Sequence, residues 1–237
     1  MTTQNETPLP LGKVLPAWTP RSVPPRKILE GRYTRLEPLD PSKHSDDLVA
    51  AFKTTDPNSW TYLFHGPFAK EAGLRQWLAD SAVAAGNVCY AIIDLATGRA
   101  AGIASYMRID PANGVIEVGS IHYSDKLKQT RASTEAMYLM MRHVFDDLGY
   151  RRYEWKCNSF NEPSRRTALR LGFQFEGIFR NHMIVKGHSR DTAWFAITDD
   201  DWSASKAAYE KWLAADNFDS AGKQRVSLSS AIESAVS

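Results

Sequence analysis

Between Tyr123 and Thr134 the chain reads YSDKLKQTRAST, a polar stretch that places Lys126, Lys128 and Arg131 where a strand gives way to a helix. Such a junction leaves several backbone N–H groups unpaired and adds the positive end of the helix dipole. It is an anion cradle, and the added cations suit a pyrophosphate better than a single carboxylate. A helix start capped by Thr130 or Ser133, with solvated lysines, accounts for the same residues, because every helix has an N-terminus. A second cluster lies in CNSFNEPSRRTALRLGF, residues 157–173. Asn161 and Ser164 sit three apart at a helix start, Pro163 is tolerated in the first turn, and Gly172 supplies a stop. Capping leaves unexplained Arg165 and Arg166 after the serine, and LGF with GIFR four residues later.

Other chemistries lack their residues. No GxGxxG, GxxxxGK[ST], HExxH or GxSxG occurs, so dinucleotide-binding, P-loop, zincin and α/β-hydrolase readings lose their support. The six histidines form no i, i+4 helical pair, and Cys89 and Cys157 have no zinc or disulfide spacing, so no metal is expected and a reducing, cytoplasmic setting fits. The formal charge of +2, from 29 basic and 27 acidic residues, gives no field to attract nucleic acid. The N-terminus lacks a signal pattern, and no run of about 18 apolar residues could span a membrane.

The elements that must position these residues follow from hydrophobic period. Six of the 12 prolines fall in the first 25 residues, so 1–27 reads as an extended arm. A strand from Gly31 and a helix opened by Pro41 follow, then the aromatic connection WTYLFHGPF (60–68) and a second helix carrying Leu74, Trp77 and Leu78 on one face. Residues 88–95, 100–109 and 115–123 read as an antiparallel meander. Met137, Met141, Val144, Phe145 and Leu148 mark a core-facing helical stripe ending at Gly149. A strand (RRYEWKC), the short helix after Asn161, a closing hairpin about KGHSR and a helix over 199–215 complete the order β-α-α-β-β-β-α-β-α-β-β. The expected fold is α/β of the α+β kind, a mixed, mostly antiparallel sheet flanked by helices, in one domain over 28–215, with 216–237 a flexible tail. The arm and last helix are free to pack on a second copy, which leaves a homodimer open.

TEAMYLMMRHVFDDLGYRR, the NxxS of Asn161 to Ser164, LGF at 171–173 and EGIFR at 176–180 together resemble the GNAT superfamily of N-acetyltransferases, most closely its ribosomal-protein N-terminal branch. The likeness covers about 31–198 in several ordered motifs, and the element order is that of the family fold. It implies acetyl transfer from acetyl-CoA, as co-substrate, to an amine, either a protein N-terminus or a small molecule. The family's phosphate loop, [RQ]xxGxG[AG], falls with its first position at Lys126 and its glycines at Gln129 and Arg131. Both glycines are missing here. Side chains there must turn away for the amides to reach phosphate.

The resemblance makes Ile121, His122 and Tyr123 contacts of the pantetheine arm, and Gln129, Thr130, Arg131, Ala132, Ser133 and Thr134 the phosphate-binding entrance. Asn161, Ser164 and Arg166 fall on the cofactor side, with Ser164 near the thioester sulfur. Glu117 stands where the family keeps a carboxylate that deprotonates the amine. On an alternating strand it shares a face with Val115, Gly119 and Ile121, and if that face is internal, burial raises it toward a useful base. His122 is the second candidate base. Ser164 is the expected proton donor, with Tyr123 and Tyr138 as alternatives. Trp60, Tyr62, Phe64 and His65 are assigned to the acceptor wall, against simple core packing. A catalytically silent acyl-CoA-binding module is the competing function.

Overall fold

The computed structural model describes residues 9–220 and 222–236. Eight strands form one sheet in the order β1-β2-β3-β4-β5-β6-β8-β7. They are β1 (Leu29–Glu30), β2 (Thr34–Pro38), β3 (Val88–Asp94), β4 (Arg99–Asp110), β5 (Val115–Tyr123), β6 (Arg152–Asn158), β7 (Gln174–Val185) and β8 (His188–Thr198). The helices are α1 (Pro41–Lys53), α2 (Glu71–Val83), α3 (Arg131–Arg142), α4 (Glu162–Arg170), α5 (Asp199–Leu213) and α6 (Leu228–Val236). The expected order of elements is present, with the two-residue β1 ahead of it and α6 after it.

Alternation on the strands divides the interior in two. Cys89, Ala91 and Ile93 of β3 join Leu48 and Phe52 of α1 and Trp77 and Leu78 of α2 in one core. Tyr90 and Ile92 face the opposite way, toward α3, α4 and α5. Every residue of α3 from Ala132 to Met141 is buried, so this helix runs through the body of the protein.

β5 and β6 are the one parallel pair among the described residues, and their ladder stops at Val118↔Trp155. Both strands run on, to Tyr123 and Asn158, and residues from both stretches line one cleft. A bulge in β5 alters the expected alternation: Ser120 has φ +49°, and pairing with β4 shifts between Gly119 and His122. Ile121 consequently packs on the α3 side, while His122 turns to Trp60 on the α1 side. Glu117 and Ile121 therefore do not share a face, as plain alternation predicts.

Both chain ends dock on the domain. The arm is strapped across the end of the sheet opposite the cleft: Trp18 Nε1 donates to Ala112 O at 2.8 Å, Arg21 N to Pro111 O, and Tyr150 OH to Ser22 O. At the other end, the described residues of the predicted flexible tail are ordered. Leu228 is fully buried, Ile232 packs on the α3-side core, and Phe218 bridges to Gln224. Enough apolar side chains recur in this Ser- and Ala-rich stretch to dock it. The arm and the tail thus spend these contacts on their own domain. Among the described residues no helix is long and apolar enough to cross a membrane.

Candidate active site

One cavity of about 1280 Å³ follows the gap between β5 and β6, from the start of α3 to the α1–α2 connection. At its first end, Thr130 is the N-cap of α3. Its Oγ1 accepts from Ser133 N at 3.1 Å, while Ser133 Oγ accepts from Thr130 N at 3.2 Å. This reciprocal box satisfies Ser133, and the N–H groups of Arg131 and Ala132 have no protein acceptor among the described residues. Gln129, where the resembled family has a glycine, takes φ +60°. The backbone keeps the left-handed turn that glycine adopts freely, at the expense of strain in a glutamine. Arg131, at the second missing glycine, stacks over the rings of Tyr33 and Phe218, 4.8 and 4.6 Å from their centroids. Its bulk is directed onto those aromatic faces.

The cations expected at this end are mostly committed elsewhere. Lys126 is exposed and outside the cleft lining, and Ala132 is outside it too, though buried. Lys128 lines the cleft but is paired with Asp125 at 2.6 Å. Arg166 also lines it, largely exposed and 3.6 Å from Glu162. The anion-binding capacity here is chiefly the helix N-terminus itself. Sequence reasoning did not find Arg170, Trp212, Phe218 and Gln224, which also line this end. Arg170 donates to Thr134 Oγ1 at 3.2 Å, and burial pulls it below the usual arginine range. Its spacing of four from Arg166 was the available signal. Trp212, Phe218 and Gln224 fall at or beyond the end of the helix before the presumed tail.

In the middle of the cleft, Asn161 caps α4 by accepting from Ser164 N at 3.2 Å, and both residues line the cavity. Ser164 Oγ accepts from Trp155 Nε1 at 3.0 Å, which leaves its own proton to give. Next to it is Cys157, whose thiol is raised by burial against the lowering effect of Ser164. Tyr123 lines the cleft with a fully buried hydroxyl that has no partner among the described residues, pushed far up by desolvation. Tyr138 does not reach the cleft: its hydroxyl donates to Glu210 Oε1 at 3.0 Å on α5. This removes it as a proton donor.

At the far end, Tyr62, Phe64 and His65 line the cavity as the sequence expects. Trp60 does not. It is 4% exposed, sits in the α1–α2 core with Phe52, Phe68 and Trp77, and stacks on His122 at 3.7 Å between centroids. Core packing is therefore the role of Trp60. Lys186, in the β7–β8 turn, donates to Trp60 O at 2.8 Å and His65 O at 3.1 Å and tethers the whole connection. His122 is pushed down to about 3, first by burial and next by Lys128, and its Nε2 has no partner. It is neutral near pH 7 and a weak proton acceptor, which lowers its standing as a base.

Glu117 is internal, the condition for its reading as a base, but not alone. Arg108 Nη1 donates to Oε1 at 2.7 Å, and Lys156 Nζ forms an ion pair with Oε2 at 2.7 Å. Lys156 also pairs with Glu154 at 2.7 Å and lies 3.9 Å from the centre of the Trp194 ring. Two cations therefore accompany this buried carboxylate, where the sequence considers its burial alone.

The cleft thus has free helix N–H groups at one end, two parallel strands that part in the middle and a buried, ion-paired carboxylate at the other. Comparison with known proteins gives the family. Residues 34–174 match the acetyltransferase (GNAT) domain. The crystal structure of a GCN5-related N-acetyltransferase from Brucella melitensis is 52% identical, with a TM-score of 0.90, covering 92% of this chain and all of that one. A probable GNAT-family acetyltransferase from Chromobacterium violaceum is 35% identical with a TM-score of 0.77, over 84% of this chain and 100% of its own. The ribosomal-protein-serine acetyltransferase of Escherichia coli is 31% identical over 80 residues, and this stretch spans only 44% of that protein. The chain belongs to the GNAT acetyltransferase family, whose members transfer acetyl groups from acetyl-CoA.

Proposed function

We propose that this chain acetylates a primary amine, on a protein N-terminus or a small molecule, by direct attack of the amine on the acetyl carbonyl of acetyl-CoA. The observation that carries this reading is the continuity of the cleft, from the unpaired N–H groups of Arg131 and Ala132 to Glu117. The amide groups of the α3 entrance hold the pyrophosphate, with Gln129, Thr130, Ser133 and Thr134 shaping the turn, and Arg166 and Arg170 adding charge from α4. Ile121, His122 and Tyr123 on one side and Asn161 on the other flank the pantetheine arm.

In the reaction the amine nitrogen forms a bond to the carbonyl carbon, the C–S bond breaks, and the amine loses a proton while the departing thiolate gains one. Glu117 takes the first proton, directly or through water, with Arg108 and Lys156 holding its carboxylate in place. Ser164 gives the second, its oxygen fixed by Trp155 so that its hydrogen is available. Tyr62, Phe64 and His65 enclose the acceptor. The likeness to a ribosomal-protein-serine acetyltransferase supports a protein N-terminus as one acceptor class. The competing reading is a silent acyl-CoA-binding module.

Calorimetric titration with acetyl-CoA, followed by an amine and peptide screen for free thiol, separates these readings. We expect binding and acceptor-dependent CoA release. Binding without release from any acceptor establishes the silent module, and absence of binding defeats both.

A further inference from the structure

Six charged side chains run across strands β4 to β7 in alternating sign: Arg108, Glu117, Lys156, Glu154, Arg152 and Glu176. Every link in this series has a contact of 2.7 Å. Three cations meet three carboxylates, so the series is neutral by itself.

Arg190 stands outside it. It lies on β8, lines the cavity and is only 6% exposed. Its Nε donates to Thr192 Oγ1 at 3.2 Å, and Thr192 Oγ1 is in turn 3.0 Å from His182 Nδ1, which holds the side chain in one orientation. The ring of Phe64 lies 5.0 Å from its Cζ. The two terminal guanidinium nitrogens have no hydrogen-bond acceptor or ion-pair partner among the described residues. Glu117 is near enough to interact through space, but its oxygens are held by Arg108 and Lys156. An arginine does not shed its proton, and burying its charge without a counter-ion is costly. The aromatic face of Phe64 offsets part of that cost. A planar, bidentate donor left unpaired at the acceptor end of a cleft is matched in shape and charge by a carboxylate.

We propose that Arg190 receives a carboxylate carried by the acceptor, so that the preferred substrates are amines that also bear an acid group. This rests on the amine-acetylation reading. The carboxylate is either the α-carboxylate of a free amino acid or an acidic side chain close to a peptide N-terminus.

The test is calorimetry on the full chain saturated with CoA, using matched probes. Free amino acids are compared with their α-amides, and C-terminally amidated peptides with Glu are compared with the same peptides carrying Gln at the second or third position. In one of the two series the acid should bind about 30-fold more tightly than its neutral partner or better, the scale of a buried charge pair. The series that shows the preference identifies the source of the carboxylate. Arg190→Gln should close the gap within the pair, and Arg190→Lys, which keeps the charge but not the planar fork, should restore only part of it. Acids that bind no better than amides in both series overturn the proposal, as does a preference that survives in Arg190→Gln. Failure of acetyl-CoA itself to bind the unaltered chain would instead remove the underlying amine-acetylation reading, and the preliminary CoA titration reads that separately.

Discussion

The two ends of the cleft are built from different materials. At the start of α3 the groups free to bind are backbone amides, and the nearby side chains are diverted: Lys128 to Asp125, Arg131 to two rings, Lys126 to solvent. At the α1–α2 end the groups that line or flank the cleft are side chains, with Glu117, Lys156, Arg108 and Arg190 converging from four strands and Lys186 pinning the loop above them. A backbone site tolerates changes of residue type provided that φ and ψ survive, which is how Gln129 can stand where the family has a glycine. A side-chain site has no such latitude. The cofactor end is therefore expected to be forgiving of substitution and the acceptor end sensitive to it.

The sharpest way to break that contrast is at Glu117. Glu117→Gln keeps the shape but neither the charge nor the proton-accepting role, and kcat should fall by about 10²–10⁴-fold while acetyl-CoA affinity holds. An equal loss of affinity would show that the two ends are not separable. His122 sharpens the same boundary through pH. Its folded-state value of about 3 lies below the ordinary 6.5, so below 6.5 the unfolded chain takes up a proton that the folded chain refuses. Stability should fall as pH drops from about 6.5 toward 3, and His122→Phe, which can still stack on Trp60, should flatten that part of a urea-melt series. At the cofactor end, Gln129→Gly relieves a left-handed glutamine and should raise stability by about 0.5–1 kcal/mol in thermal melts, with acetyl-CoA binding kept. The smallest effect belongs to Lys126→Ala. It should change neither melting nor acetyl-CoA affinity by more than about 0.5 kcal/mol, although a charge-built phosphate site would make it costly.

The strands and α3 were legible because each is carried by a local period: the meander by its turns, α3 by Met137 and Met141 on one stripe. So was the junction at the start of α3, since a strand, a polar loop and a helix are consecutive in the chain. What escaped was long-range or non-periodic. The bulge at Ser120 is announced only by Gly119 before it, and it decides which core Ile121 faces and which His122 faces. The partners of Glu117 come from two other strands, so no spacing around residue 117 reveals them. Trp60 and Tyr62 look alike in an aromatic connection, and only packing against Phe52 and Trp77 separates core from wall. Residues 216–237 have a composition that resembles a fraying tail, and only the packing of Ile232 on Gly172 and the burial of Leu228 show otherwise.

The central claim, that free amides at the start of α3 hold the cofactor, is tested most directly at Arg131, the first residue of the helix. Proline is tolerated there: the fixed φ suits the first turn, and the extended backbone of Thr130, at φ −97° and ψ 166°, suits a residue before proline. Arg131→Ala and Arg131→Pro both remove the side chain, but only the second removes the N–H. Isothermal titration should show acetyl-CoA binding at least about tenfold weaker to the proline variant than to the alanine variant, the loss of a hydrogen bond to a charged group, with no lower melting temperature. Equal affinity in the two variants would contradict the account.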